Sequence, residues 1–225
     1  LWLSQMAQNN ESSIVASPFN PQFFHPEAVI VANGELPSLP LMRQWLSDAP
    51  FTVCCDGAVG RFPLNLFRCD LVIGDGDSFV NSSVEGASIP FVRISEQETN
   101  DLTKAVAYLQ QHGKNRAVIL GATGRRTDHM IGNISLLVQY LRNGFTAFVI
   151  DDYGMFIPCK DNVELYVGCG RQISVFRFDA TGMRATNLKY PLRDFDMLWQ
   201  GTLNEATDDM IQIHAHGYYL LYLAN

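Results

Sequence analysis

The sequence predicts an α/β protein: an N-terminal, mainly parallel α/β domain followed by a C-terminal antiparallel β-sandwich. Up to about residue 150, short apolar runs alternate with amphipathic stretches of helical period, the pattern of βαβ units. After Asp152 the helical period disappears and short β-rich segments punctuated by glycine replace it. Hydrophobic residues make up 47% of the 225, enough for a large core and against wholesale disorder. The expected divisions are a loosely ordered extension over 1–25, an α/β domain over 26–152 and a β-domain over 153–225.

The extension is rich in Asn, Ser, Gln and Pro, and the first 42 residues hold no Lys or Arg. A signal peptide, with its positive start and longer apolar run, is not expected there. Ala28–Ala32 reads as a buried strand ending at Asn33-Gly34. Ser38 then opens a helix with Pro40 in its first turn, where proline is tolerated. Phe51–Cys55 is a second strand, ending at Asp56-Gly57-Ala58. Leu71–Ile73 is the third, ending at Gly74-Asp75, and Phe91–Ile94 is a further short one. Asn100–His112 reads as a helix with Leu102, Val106 and Leu109 on one face and Gly113 beyond its end. Ala117–Leu120 leads through a glycine-rich turn into a helix over Asp128–Arg142, closed by Gly144. Phe145–Ile150 ends the domain at Asp151-Asp152. In the β-domain, Val163–Val167, Gln172–Phe178, Met210–His214 and Tyr218–Leu223 are the strand candidates.

Composition also excludes. A net charge of −7 argues against nonspecific nucleic-acid binding, which needs clustered Lys and Arg. No apolar run approaches the roughly 20 residues of a membrane span. Five cysteines, with an adjacent Cys54-Cys55 pair and no Cys-x-x-Cys, indicate free thiols and a reducing, cytoplasmic compartment.

The chemistry concentrates at strand ends. Asp70–Ser78 reads Asp-Leu-Val-Ile-Gly-Asp-Gly-Asp-Ser, an apolar strand running into Asp75 and Asp77. Alone, this fits either an Asp/Gly turn or a cation site. Paired carboxylates repel, and a hard divalent cation such as Mg²⁺ resolves the conflict by binding one or two carboxylates plus substrate phosphates. Asp56 and Asp128 fall near other strand ends, and a parallel sheet brings such ends to one edge. Asp101 joins them from the start of a helix, where a carboxylate suits the dipole. Lys104 follows three residues on, and the two by themselves read as a solvated ion pair. Gly121 to His129 follows a strand and opens a helix, a setting in which glycines and free N–H groups admit a phosphate and Arg126 adds a bidentate contact. It is neither the Walker spacing nor Gly-x-Gly-x-x-Gly. His129, on one face with Asn133, reads as a hydrogen-bonded structural residue.

Together, Asp56-Gly57-Ala58, Gly74-Asp75-Gly76-Asp77-Ser78, Asn100-Asp101-Leu102-Thr103-Lys104-Ala105 and Gly121 through His129 with Asn133 resemble the thiamine pyrophosphokinase family in order and spacing. Asn33-Gly34-Glu35, Thr181-Gly182-Met183 and Trp199 through Glu205 extend the resemblance over nearly everything after residue 26. The chain departs from the family at Gly76, usually bulky, and at Glu98 and Asn100, usually Asp and Thr. Arg125 replaces a glycine, and Leu203 replaces a serine.

The resemblance implies transfer of a diphosphoryl group from ATP to the hydroxyl of thiamine, with Mg²⁺, in a homodimer that binds thiamine at its interface. It implies metal and catalytic roles for Asp75, Asp77 and Asp101. Nucleotide contacts are implied at Asp56, Gly74, Lys104, Gly121, Gly124, Arg126 and Asp128, and acceptor contacts at Trp199, Thr202 and Asn204. Trp199 fits core packing equally well. No nucleic-acid or membrane partner is expected. Two other readings stay open: a diphosphokinase for another hydroxymethyl heterocycle such as a pterin, and a non-catalytic nucleotide sensor.

Overall fold

The computed structural model describes residues 24–77 and 89–225. Ser78 and the expected extension up to residue 23 lie outside the described residues; Phe24, near the end of that stretch, is buried. The chain divides into an α/β unit, Pro26–Pro158 with Leu220–Asn225, and a β unit that contains Cys159–Tyr219.

The α/β unit runs β1 (Ala28–Val31), α1 (Leu39–Leu46), β2 (Thr52–Cys55), the single turn α2 (Asp56–Val59), β3 (Leu71–Gly74), β4 (Phe91–Arg93), α3 (Asp101–Gln111), β5 (Arg116–Leu120), α4 (Thr127–Arg142), β6 (Thr146–Asp151) and β7 (Gly154–Lys160). Strands β4, β3, β2, β1, β5 and β6 lie side by side in that order, each pairing parallel. Val29, Ile30, Val53, Val118 and Ile119 are all fully buried. Parallel strands covered on both faces read as such continuous apolar runs rather than alternating ones. The order reverses at β1, which has β2 on one side and β5 on the other. Open α/β sheets bind ligands beyond the carboxyl ends of the strands at that reversal.

The helices follow from local chemistry. Asn100 caps α3, its Oδ1 accepting the Thr103 N–H at 2.9 Å, as a short amide at this position favours. Leu102, Ala105, Val106 and Leu109 form the buried face of α3, and Leu137, Val138 and Tyr140 that of α4. The Tyr140 and Thr103 hydroxyls meet at 2.9 Å between the two helices. Ser38 opens α1 differently. Its hydroxyl and N–H donate to the Asp152 carboxylate at 2.6 and 2.8 Å.

Strand β7 pairs antiparallel with β6 and was not expected from the sequence. Pro158 lies inside it, and a proline, lacking a ladder donor, argues against a strand. Asp152 therefore sits in the turn between β6 and β7, while the two units part at Pro158 and Cys159. The turn α2 was also unexpected, being too short for a helical period to show.

The β unit contains β8 (Val163–Tyr166), β9 (Gln172–Arg177), β10 (Thr181–Thr186), a 3₁₀ turn (Leu198–Gly201), β11 (Asn204–Glu205) and β12 (Met210–His216). Strand β13 (Tyr218–Ala224) starts here, and its residues from Leu220 belong to the α/β unit. β12 lies antiparallel between β10 and β8, and β9 pairs antiparallel with β11. Ile211, Ile213 and Ala215 alternate inward along β12, the period of a half-covered strand. β10 escaped the sequence reading because Met183 is its one buried side chain. The five cysteines are free thiols. No helix among the described residues is long and apolar enough to cross a membrane.

Candidate functional site

A cavity of about 490 Å³ opens where the sheet order reverses, bordered by Asn33 and Gly34 after β1, Asp75 after β3 and Gly124 after β5. Backbone bonds join the turns after β1 and β5. The Gly34 N–H donates to Gly121 O at 2.6 Å and the Glu35 N–H to Thr123 O at 2.8 Å. A Cβ on Gly34 would collide with both carbonyl oxygens, so the approach requires glycine. The Thr123 hydroxyl donates to Asp151 at 3.0 Å. Asn133 donates to Ala122 O at 3.1 Å and accepts from the Asn100 amide at 3.2 Å. The glycine-rich loop is thus fixed by β1, β6, α3 and α4 together.

Of the expected carboxylates, Asp75 and Asp101 border the cavity. Asp75 accepts the Asp77 N–H at 3.1 Å and the Gln97 amide at 3.3 Å. Those bonds, the Asp77 N–H foremost, hold its carboxyl below the usual range. Burial pushes Asp101 up, opposed by its bond to Lys104, while the charges of Asp75 and Asp56 act with burial. Asp56 is 1% exposed and accepts the Gly76 N–H at 2.9 Å. A Cβ on Gly74 would strike Asp56 and lie 3.4 Å from the Asp101 Cγ. Gly74 therefore serves as the space between two carboxylates. Asp77 is exposed and lies off the cavity wall. Among the described residues, no three His, Cys, Asp or Glu side chains converge closely enough to hold a metal by themselves.

Lys104 corrects one expectation. It bonds Asp101 at 3.3 Å, but it is only 4% exposed, so the pair is not a solvated one. Spacing of three along a helix brings the partners together without saying which way that face turns. Here Lys104 shares the buried side of α3 and borders the cavity.

The cations are distributed differently from the sequence reading. Arg126 borders the cavity, yet its fork grips Asp128 at 2.6 and 3.1 Å, and Arg126 pulls the Asp128 carboxyl down to about 2. Asp128 itself is exposed and off the wall. Arg125, noted from sequence as a departure, borders the cavity and donates to the Asn33 backbone and amide oxygens at 3.2 Å each. Arg61, missed altogether, reaches the same two oxygens at 3.0 and 2.7 Å and Gly34 O at 2.8 Å. Its one signal is its place, just past the α2 turn that begins at Asp56. His129 is exposed on the cavity wall, and its ring makes no hydrogen bond among the described residues. The hydrogen-bonded structural role expected of it has no partner among the described residues.

In the β unit, Trp199 is 71% exposed, which rules out core packing. The 3₁₀ turn that carries it lies close on β9, since a Cβ on Gly201 would collide with Val175 O. The Thr202 hydroxyl closes the turn by donating to Trp199 O at 2.6 Å. Asn204 is 7% exposed, and its amide is taken up by backbone. Its Oδ1 accepts the Tyr190 and Glu205 N–H groups at 3.0 and 2.9 Å, and its Nδ2 donates to Tyr190 O at 2.9 Å. In the described structure Asn204 thus braces Tyr190 against β11.

Residues 42–149 match the thiamin pyrophosphokinase catalytic domain, and residues 154–222 the thiamin pyrophosphokinase substrate-binding domain. Thiamine pyrophosphokinase 2 of Arabidopsis thaliana is 28% identical over 223 residues, covering 84% of this chain and 82% of its own. Thiamine pyrophosphokinase of Bacillus subtilis is 26% identical over 199 residues, covering 84% and 90%. In three dimensions the chain is similar to the crystal structure of the Bacillus subtilis thiamine pyrophosphokinase, with a TM-score of 0.74, 19% identity and coverage of 88% and 98%. The yeast thiamin pyrophosphokinase structure gives 0.73 at 14% identity, covering 92% and 88%. At those identities the structures speak for the fold alone.

Proposed function

The chain belongs to the thiamin pyrophosphokinase family, and from that premise we propose that it transfers the diphosphoryl group of ATP to the hydroxyl of thiamine. The alcohol oxygen bonds to the β-phosphorus, the bond from that phosphorus to the α-phosphate oxygen breaks, and AMP leaves. The observation that carries the reading is one cavity at the sheet reversal bordered both by Asp75 and Asp101 and by the glycine-rich loop. The first turn of α4 borders the same space, and a helix start offers N–H groups to phosphate.

The donor set fits Mg²⁺, which needs only one or two carboxylates beside substrate phosphate oxygens; Asp75 and Asp101 are the residues that would hold it. When bound, Mg²⁺ neutralises charge on the β oxygens and on the departing α-phosphate. Asp77 supports this set through its backbone bond to Asp75. Asp101 is also our choice to take the alcohol proton late in the transfer. Lys104 holds that carboxylate in place.

Thiamine is cationic and aromatic, and an exposed indole is the matching surface. Trp199 and Thr202 are assigned to the acceptor in a homodimer working in the cytoplasm. The test is a reaction of purified protein, ATP, Mg²⁺ and thiamine, with products separated by chromatography. Thiamine diphosphate and AMP in equal amounts are expected. ADP with thiamine monophosphate would overturn diphosphoryl transfer, and faster turnover of a hydroxymethyl pterin would overturn the acceptor.

A further inference from the structure

Two cations beside the cavity have no part in the scheme above. Arg61 and Arg125 both donate to the backbone and side-chain oxygens of Asn33. Two guanidinium groups held on one acceptor repel each other. Burial, and then the charge of Arg125, lower the proton affinity of Arg61. Neither arginine has a carboxylate within ion-pair distance among the described residues. Arg126, by contrast, is neutralised by Asp128.

The backbone adds a second observation. Arg125 has φ +55°, a left-handed conformation that residues with a Cβ seldom adopt. The family resemblance places a glycine there, which would adopt that angle freely. This chain instead holds a long cation on a cavity wall in a strained conformation, and strain kept at such a place points to function. Of the Arg125 donors, only Nη1 is engaged among the described residues, so Nε and Nη2 remain for an anion. A guanidinium fork matches phosphate geometry, and an unneutralised one gains most from it.

We propose that Arg125, seated beside Arg61 on Asn33, is a phosphate-binding residue that clamps the triphosphate of the nucleotide in this cavity. The assignment rests on the reading of ATP as donor. It adds to the glycine-rich loop a contact specific to this chain.

Arg125→Gly and Arg125→Lys variants of the full chain test it, by calorimetric titration with ATP, AMP and inorganic tripolyphosphate, and by thermal melting. The glycine variant should melt no lower than the parent, because +55° is an angle natural to glycine. Its affinity for ATP and tripolyphosphate should fall roughly tenfold to a hundredfold, as for a lost charge-assisted bond. AMP affinity should change little, and the lysine variant should fall between. Unchanged tripolyphosphate affinity, no tripolyphosphate binding by the parent, or an equal loss of AMP would each overturn the proposal. If tripolyphosphate binding depends on Arg125 while thiamine is not turned over, the clamp stands and the reaction assignment falls.

Discussion

The cavity of the α/β unit and the segment from Met197 to Asn204 in the β unit are built by the same device and put to opposite use. Each rests on a glycine that a Cβ would drive into a carbonyl oxygen, Gly34 against Gly121 and Thr123, Gly201 against Val175. Around the cavity, polar side chains bind one another and the backbone, as Asn100, Asn133, Thr123 and Asp151 do. In the β-unit segment the polar group is turned inward and the apolar ones face out: Asn204 is buried while Met197, Leu198, Trp199 and Leu203 are exposed. Clustered exposed apolar side chains mark binding surfaces. The first region presents charged and polar groups in a rigid geometry, the second an exposed apolar surface.

The largest effect expected from this contrast separates two neighbouring aspartates. Asp75 borders the cavity and Asp77 does not. Asp75→Asn should lower turnover by roughly 10²–10³-fold, the scale for losing one preorganised charge contact in a transition state. Asp77→Asn should lower it much less, because the backbone N–H that holds Asp75 remains. Both variants should melt near the parent. Measurement of turnover at saturating ATP and thiamine across Mg²⁺ concentrations checks this. Equal losses would extend the metal set to Asp77.

These two regions were also unequally legible in the sequence. Strand-end carboxylates could be read because a parallel sheet gathers the ends of its strands, and the family pattern fixed their order. The depth of Lys104 could not be read, since a spacing of three on a helix fixes the partner and not the covered side. Arg61 and Arg125 meet on Asn33 from sequence positions 64 residues apart, so no local pattern contains them. The bracing bonds of Asn204 could not be read for a related reason: a buried amide and a ligand-binding amide look alike until the partners are seen. In a segment without helical or strand period, side-chain direction is set by the backbone path alone. Pro158 hid β7 because the rule it breaks is a real one, only not decisive here.

Asn204 and Trp199 give the next prediction, from within the β-unit segment. Asn204→Ala leaves the Tyr190 N–H and carbonyl without their side-chain partners, and unmade bonds at a buried site cost about 1–3 kcal/mol. The variant should therefore show a lower melting temperature, with KM for thiamine little altered. Trp199→Ala should do the reverse. It should melt like the parent, because the ring is exposed, and raise KM for thiamine by roughly tenfold with KM for ATP unchanged. A KM effect confined to Asn204→Ala would return that residue to the acceptor site and make the exposed face of Trp199 incidental.

The smallest effect is a dependence on pH carried by one carboxylate in each unit. In the α/β unit, Glu27 Oε2 accepts the N–H groups of Asn115 and Arg116 at 2.7 and 3.1 Å, fastening the start of β1 to that of β5. In the β unit, Asp194 accepts the N–H groups of Met183 and Gly182 at 2.7 and 2.9 Å, fastening a loop to β10. The Asn115 N–H is the main cause holding Glu27 below the usual range, and the Met183 N–H does the same for Asp194. Because each native pKa lies below its unfolded value of about 4, the stabilisation is complete above that value. It is lost as pH falls through the native one. Glu27→Gln and Asp194→Asn should therefore melt lower than the parent at pH 7 and lose less of their melting temperature than the parent does on going to pH 3. Glu27 also pairs with the Arg116 side chain at 3.3 Å, so its substitution should narrow the gap more. Melting curves at the two pH values decide it. Variants that keep the full parental drop would show that neither carboxylate is linked to folding through its proton, and that acid destabilisation arises elsewhere in both units.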